Sequence, residues 1–300
     1  MIKYEPLTYH SHYRKCEPII PIEEGQLVQT TTLDAHGGSP EGVRSKGFSN
    51  PLTGPFVLPQ AQPRDSICIE IHSIKPLGNS GFSYAYPRPW LVDAADAALF
   101  PNKESVRWSL DSEAGITATT LPNGKQIKLA MAPMLGCVGL ACDPEQTFTS
   151  QDAGSFAGNL DFPLIRAGSK IEIPVAIQGG YIFVGDAHAI QFGGEITGAA
   201  VEIPAEVIFS ATLHKQTHLL WPRGETRDAF YALGTDLPFE TAMQHAISGL
   251  IRYAEERFGL THTDAATLIG QVGDLQVCNV VSRTYTAVAL MHKTDLTGWL

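Results

Sequence analysis

At 300 residues the chain is long enough for one large domain or two ordinary ones, and it can bury roughly three quarters of its unfolded surface. With 21 Lys plus Arg against 31 Asp plus Glu, its formal charge is −10; no basic block stands out, which argues against a nucleic-acid partner and reads as plain solubility. No apolar run approaches the ~18 residues of a membrane helix, the start "MIKYEPLTYH" is polar, and the five cysteines (Cys16, Cys68, Cys137, Cys142, Cys278) form no second metal-type pair, so the expectation is a reduced, cytoplasmic protein with no membrane partner.

In chain order, the first signals are β. "SNPLTGP" (49–55) is a turn-rich lead-in, and "SICIEIHSI" (66–74) alternates Ile67, Ile69 and Ile71 against Cys68, Glu70 and His72. "GNSG" (78–81) and "LPNGK" (121–125) are turns, the second carrying the Asn123-Gly124 hairpin signal. "KIEIPVAI" (170–177) alternates again, "YIFV" (181–184) is an apolar strand, and "VEIPAEVIFSATL" (201–213) reads as two strands around a proline turn. In "PFETAMQHAISGLIRYAEERFG" (238–259) the apolar residues follow i, i+3, i+4, i+7, predicting an amphipathic helix that stops at Gly259. "THTD" (261–264) has capping-box spacing for a short helix through Leu268, and "LQVCNVVSRTYTAVALM" (275–291) predicts a closing pair of strands. The expected fold class is mainly β, a sandwich or barrel-like core over 1–235 with an α+β closing segment over 236–300, in a single domain.

Polar residues concentrate at four places: "TTLDAHGG" (31–38), "NPLTGPF" (50–56), "GSFAGNLDFPLIRAGS" (154–169) and "GDAHAIQFGGE" (185–195). Asp and Asn beside Gly are ordinary turn chemistry. A turn does not require Asp186, His188, Gln191 and Glu195 within ten residues, however, and such groups at loop ends on a β scaffold are how sites are built. His214 and His218 have the spacing of a zinc helix, but they sit in strand and loop sequence, and Lys215 stands where a Glu is needed. Cys137 and Cys142 read as small buried hydrophobes. The aromatic loop "YAYPRPW" (84–90), Trp90 included, is a candidate pocket wall.

The order of these clusters resembles the acetamidase/formamidase family. "NPLTGPFVLPQAQPRDSICIEI" (50–71), "PMLGCVGLA" (133–141), "GSFAGNLD" (154–161), "GSKIEIPVAIQGGYIFVGDAHAIQFGGEITGAAVEI" (168–203) and "GDLQVCNVV" (273–281) each match a family segment. Asp34, Asn159, Asp161, Asp186, His188, Gln191, Glu195 and Glu202 survive position by position, whereas Phe156 stands where the family has His and Gly193 where it has Asp. The resemblance implies a hydrolase of small linear or cyclic amides, and a divalent metal, zinc foremost, at the site. Amide hydrolysis needs an activated water, a stabilised carbonyl oxygen and a proton for the departing amine. The expected metal ligands are Asp34, His188, His72 and Asp186; Glu195 with His188 is the catalytic pair; Asn159, Gln191 and Asp161 are substrate-binding. Phe156 and Gly193 are expected in the same cleft, thinning the ligand set. The alternative is a non-catalytic or respecialised descendant that binds a small polar ligand. The partner expected on a turn-rich β chain with sheet edges is a second copy, as a homodimer or higher homo-oligomer.

Overall fold

The structure, a computed structural model, describes residues 1–17, 19–40, 49–100, 104–143, 145–296 and 298. Its described residues form two sheets. The first runs, strand by strand, Ile2–Tyr4, Val28–Thr32, Ala205–His214, Ser66–Pro76, Lys170–Pro174, Arg223–Glu225, Ala229–Asp236, Tyr285–His292 and Gly273–Asn279. The second has Met134–Leu140 and Ile182–His188 at its centre, and continues through Glu202–Ile203 and Ser80–Tyr84 to the hairpin strands Ser105–Asp111, Ile116–Thr120 and Gln126–Ala130.

The alternation in 66–74 does what its period dictates. Ile67, Ile69 and Ile71 are fully buried, while Cys68 and Glu70 are partly open and His72 is exposed on the opposite face. The buried isoleucines join Val207 and Phe209 of the same sheet and Leu135, Val138, Ile182 and Val184 of the other in one core cluster, so the sheets pack face to face. Each such side chain removed from water contributes about 1.5–3 kcal/mol.

The closing segment follows its pattern closely. The helix Phe239–Phe258 buries Ala242, Ala246, Leu250 and Ala254 against Phe230, Ala232, Ala287 and Ala289 of the first sheet. It ends at Gly259 in the left-handed conformation. Thr261 caps the next helix, its hydroxyl accepting from the Asp264 amide. That helix runs His262–Val272, a turn beyond the Leu268 expected: it carries Gly270 within its last turn and ends only at Gly273. The strand Ala229–Asp236 straddles the expected boundary at 235 and pairs along its length with Tyr285–His292, so the closing strands continue the core sheet. Two further expectations shift. The strand begun at Lys170 ends at Pro174, after which the Val175 amide turns to the Asp65 carbonyl. The region 105–130, read only for its Asn123-Gly124 turn, is a three-stranded meander. No helix among the described residues is long and apolar enough to cross a membrane.

Candidate metal centre and adjoining cavity

The site forms where the strand Ile182–His188 meets its neighbours. One side pairs with Met134–Leu140; the other pairs first with Leu52–Val57 and then with Glu202–Ile203. The register sets Glu202 directly opposite His188, at the close separation typical of cross-strand neighbours. Asp186 lies two residues before His188, and Asp161 follows the short strand Ala157–Asn159, which pairs with Met134–Leu140. Sites otherwise scattered along the chain are thus brought together by β register.

Two overlapping groups result: Asp161, Asp186 and His188, and His188, Glu195 and Glu202, with the ligating atoms of each within 4.8 Å of one another. His188 Nε2 is 3.2 Å from Glu202 Oε2 and 3.6 Å from Asp186 Oδ1. Gly136, on Met134–Leu140, leaves the room they occupy. A Cβ there would come within 2.5 Å of Asp161 Oδ1 and 2.8 Å of both Asp186 Oδ2 and His188 Cε1.

Each of four side chains has one polar atom held from outside and one aimed inward with nothing to meet. Asp161 Oδ2 accepts from Asn159 Nδ2 at 3.0 Å and from Asn279 Nδ2. Asp186 Oδ2 accepts from Asn50 Nδ2 at 2.8 Å, and Glu202 Oε1 from the Ala200 amide at 2.9 Å. Gln191 donates its amide to the Asp161 carbonyl at 2.7 Å, which turns its Oε1 toward His188 Nδ1 at 2.8 Å. Nδ1 is therefore the donor in that contact, and Nε2 is the atom left with a lone pair when the ring is neutral. The remaining atoms, Asp161 Oδ1, Asp186 Oδ1, His188 Nε2 and Glu202 Oε2, are buried without a hydrogen-bond partner. The His188–Glu202 contact has an ion-pair distance but not hydrogen-bond alignment, which is why both atoms remain unmatched.

The electrostatics agree. Burial and the neighbouring Asp186 push the Asp161 carboxyl up to about 7, against the pull of His188. Burial, then Asp161, raises Glu195 well above the ordinary carboxylate range; Glu195 is half-buried as a residue, yet its carboxyl is shut in with the other acids. Burial raises Glu202 too, more than His188 lowers it. Burial alone would lower His188, but Glu202 and Asp186 outweigh it and hold the imidazole well above its usual value. Four carboxylates around one imidazole need positive charge, from protons or from a cation. The backbone is strained there as well: Asn50, Asp161, Asp186 and Glu195 have φ of 49°, 46°, 54° and 51°, a conformation that non-glycine residues adopt only when their surroundings impose it.

Over this centre lies a cavity of about 280 Å³, whose lining includes Asn50, Arg88, Asn159, Asp186, Glu195 and Glu202.

The expected site residues divide. His188, Asp186, Asp161 and Glu195 converge, with Asn159 and Gln191 holding them from behind. Asp34 and His72 are in neither group. Asp34 Oδ1 accepts from the His36 and Gly38 amides at 2.8 and 2.7 Å, closing its own turn beside a separate groove. His72 faces outward on the first sheet, 2.8 Å from Ser210 Oγ. Phe156 and Gly193 do not line the cavity either. Phe156 packs at tilted ring angles in an aromatic cluster with Tyr13 and Phe148, and Gly193 abuts the backbone of the last strands, where a Cβ would meet the Val277 carbonyl oxygen at 2.7 Å. From the aromatic loop, Tyr84 and Arg88 reach the cavity, while Trp90 stays outside its lining and donates to the Val280 carbonyl at 3.2 Å. Cys137 is buried, as its reading as a small hydrophobe expects, with its thiol directed at Asn159 Oδ1, 3.0 Å away, and burial pushes that thiol far above its ordinary value. Sequence reasoning gave no individual role to Asn50 or Asn279, reached Arg88 only as part of the loop 84–90, and carried Glu202 only as a position matching the family segment. A lone acid in the apolar run "AAVEIPA" and a lone Asn in "VCNVV" were the available signals.

This combination defines a class: a two-sheet β protein with a buried acid–imidazole centre, able to hold a metal ion, beneath a polar cavity. The Acetamidase/Formamidase family model matches residues 146–283. Acetamidases from Yersinia enterocolitica and Bacillus halodurans have similar structures, each at a TM-score of 0.85. The first is 27% identical, covering 98% of this chain and 93% of its own, and the second 23% identical, covering 99% of both. A Schizosaccharomyces pombe protein named "Putative formamidase" is 23% identical over 264 residues, 68% of this chain and 64% of its own length. Over residues 146–283, a little under half of its length, the chain resembles the acetamidase/formamidase family, and its fold is that of the solved acetamidases.

Proposed function

We propose that the protein hydrolyses small amides, formamide- and acetamide-like or lactam, at this centre, with a divalent cation, zinc first to be tested, held by Asp161, Asp186, His188 and Glu202. The observation that carries the reading is the convergence of four buried atoms, three carboxylate oxygens and one imidazole nitrogen, that have no hydrogen-bond partner. Polar atoms are not left buried and unpaired without cost, and a mixed imidazole–carboxylate set suits a divalent ion. The family match and the solved acetamidases support the amide chemistry.

A bound divalent ion supplies Lewis acidity toward a carbonyl oxygen and makes water more acidic. The protein's own groups do the rest. Gln191 fixes the His188 ring; Asn50, Asn159 and Asn279 fix the carboxylates. Glu195, on the cavity wall, takes a proton from the attacking water and delivers it to the amide nitrogen. One C–O bond forms, one C–N bond breaks, and the elements of water are divided between a carboxylic acid and ammonia or an amine.

The test is ammonia release from formamide, acetamide, propionamide and simple lactams by the full chain, beside elemental analysis of the same sample. Metal-dependent turnover of at least one amide is expected. A metal-loaded protein that binds these amides without turning any over would contradict the hydrolase reading and favour the small-ligand-binding alternative.

A further inference from the structure

The mechanism above leaves one strong group in the cavity unused. Arg88 lines it together with Asp186, Glu195 and Glu202. Its Nε is buried without a hydrogen-bond partner, and among the described residues its guanidinium makes no ion pair. It is nonetheless seated in a definite place. The guanidinium carbon lies 5.8 Å from the centre of the Trp90 ring, and a Cβ on Gly198 would come within 2.5 Å of Nε, so the missing side chain at 198 is what makes room for it. Elsewhere the chain pairs a guanidinium that it takes out of water: Arg223 has Glu172 at 2.8 Å and Glu256 at 2.6 Å. A second cation, Arg283, lies on the same cavity wall, largely exposed and 3.7 Å from Asp152.

A guanidinium is a planar fork of donors that matches a carboxylate with two parallel hydrogen bonds. A neutral two-carbon amide offers it one uncharged carbonyl oxygen and no second parallel acceptor, and at about 280 Å³ the cavity has room for several waters at roughly 30 Å³ each, more space than so small an amide fills. We propose that Arg88 selects a short amide that also bears a carboxylate, a dicarboxylic acid monoamide, whose amide end meets the acid–imidazole centre and whose carboxylate meets Arg88. This deepens the amide-hydrolase reading of the same site and rests on it.

The experiment compares matched pairs on the full chain with metal supplied: malonamate with propionamide, and succinamate with butyramide. The expected result is a kcat/KM at least about tenfold higher for the carboxylate-bearing member of one pair, the size of one charge-assisted interaction. Arg88→Gln should collapse that ratio mainly through a higher KM, Arg88→Lys should restore part of it, and added salt should weaken it. A ratio near unity in the natural protein overturns the inference while leaving amide hydrolysis intact. So does an unchanged ratio in Arg88→Gln with kcat lowered for every amide, which would make Arg88 a general charge stabiliser. If no amide is turned over, the hydrolase reading falls, and calorimetry with succinamate decides this one. Binding that Arg88→Gln abolishes supports the carboxylate site; absent or Arg88-independent binding overturns it.

Discussion

At the scale of single residues, the proposed site has one group that moves a proton and others that hold their neighbours still. Glu195 projects into the cavity while its carboxyl is kept among other acids. Glu195→Gln keeps shape and hydrogen bonding but cannot accept a proton, so turnover should fall by ~10²–10⁴ while metal content and melting temperature stay close to those of the natural protein. Steady-state kinetics read this directly; a variant keeping more than about a tenth of the activity would make Glu195 a structural partner of its turn. Gln191 is different, because it touches His188 and the Asp161 backbone and does not line the cavity. Gln191→Leu should leave the ring free to turn and weaken metal affinity about 10–100-fold, measured by competition with a chelator. The sequence made Asp186, His188 and Glu195 visible because three charged or ionisable residues in a glycine-rich stretch exceed what a turn needs. It could not separate Asp34 from Asp161. Both are acids next to turn residues, and only the tertiary structure decides that one carboxylate closes its own turn while the other faces His188.

At the scale of elements, the centre depends on the closeness of two strands. Met134–Leu140 runs antiparallel to Ile182–His188, and Gly136 is the position where a side chain would collide with three site residues. Gly136→Ala should therefore leave the sheet folded, by circular dichroism, but sharply reduce metal binding; an alanine variant that binds as the natural protein does would show that the centre lies elsewhere. Strand and helix periodicity was legible wherever one face is buried, as in Ser66–Pro76 and Phe239–Phe258, because alternation and the 3.6-residue repeat are local. Which strands become neighbours was not legible. The pairing of His188 with Glu202 spans a 13-residue excursion, 189–201, whose turns carry no statement of where the chain will land. The family resemblance supplied the motifs for that region but not the geometry that sets Phe156 into an aromatic cluster with Tyr13 and Phe148 and away from the cavity.

At the scale of the whole molecule, a second charge network links the first sheet to the long helix. Glu172 accepts from Arg223 at 2.8 Å, from Ser66 at 2.5 Å and faces His214 at 2.9 Å, and Arg223 reaches Glu256 of the helix. Burial alone would raise the Glu172 carboxyl, but Arg223, Ser66 and His214 outweigh it and hold it below its ordinary value. A carboxyl depressed in the folded state adds stability that is complete above the unfolded value, ~4.3, and is lost as pH falls through the lower folded value. The melting-temperature gap between the natural protein and Glu172→Gln should thus be widest near neutral pH and close as pH drops below about 4; a gap independent of pH would show that the charge of Glu172 contributes nothing.

The central claim is that the four unmatched atoms of Asp161, Asp186, His188 and Glu202 are the seat of a divalent ion, and calorimetric titration of zinc into the metal-stripped full chain tests it most directly. Saturable uptake by the natural protein is expected, with uptake by Asp34→Asn of the same affinity and uptake by Asp161→Asn weakened by a hundredfold or so, the loss of a charged ligand. Absence of uptake by the natural protein, or Asp161→Asn binding zinc as tightly as it does, would contradict it.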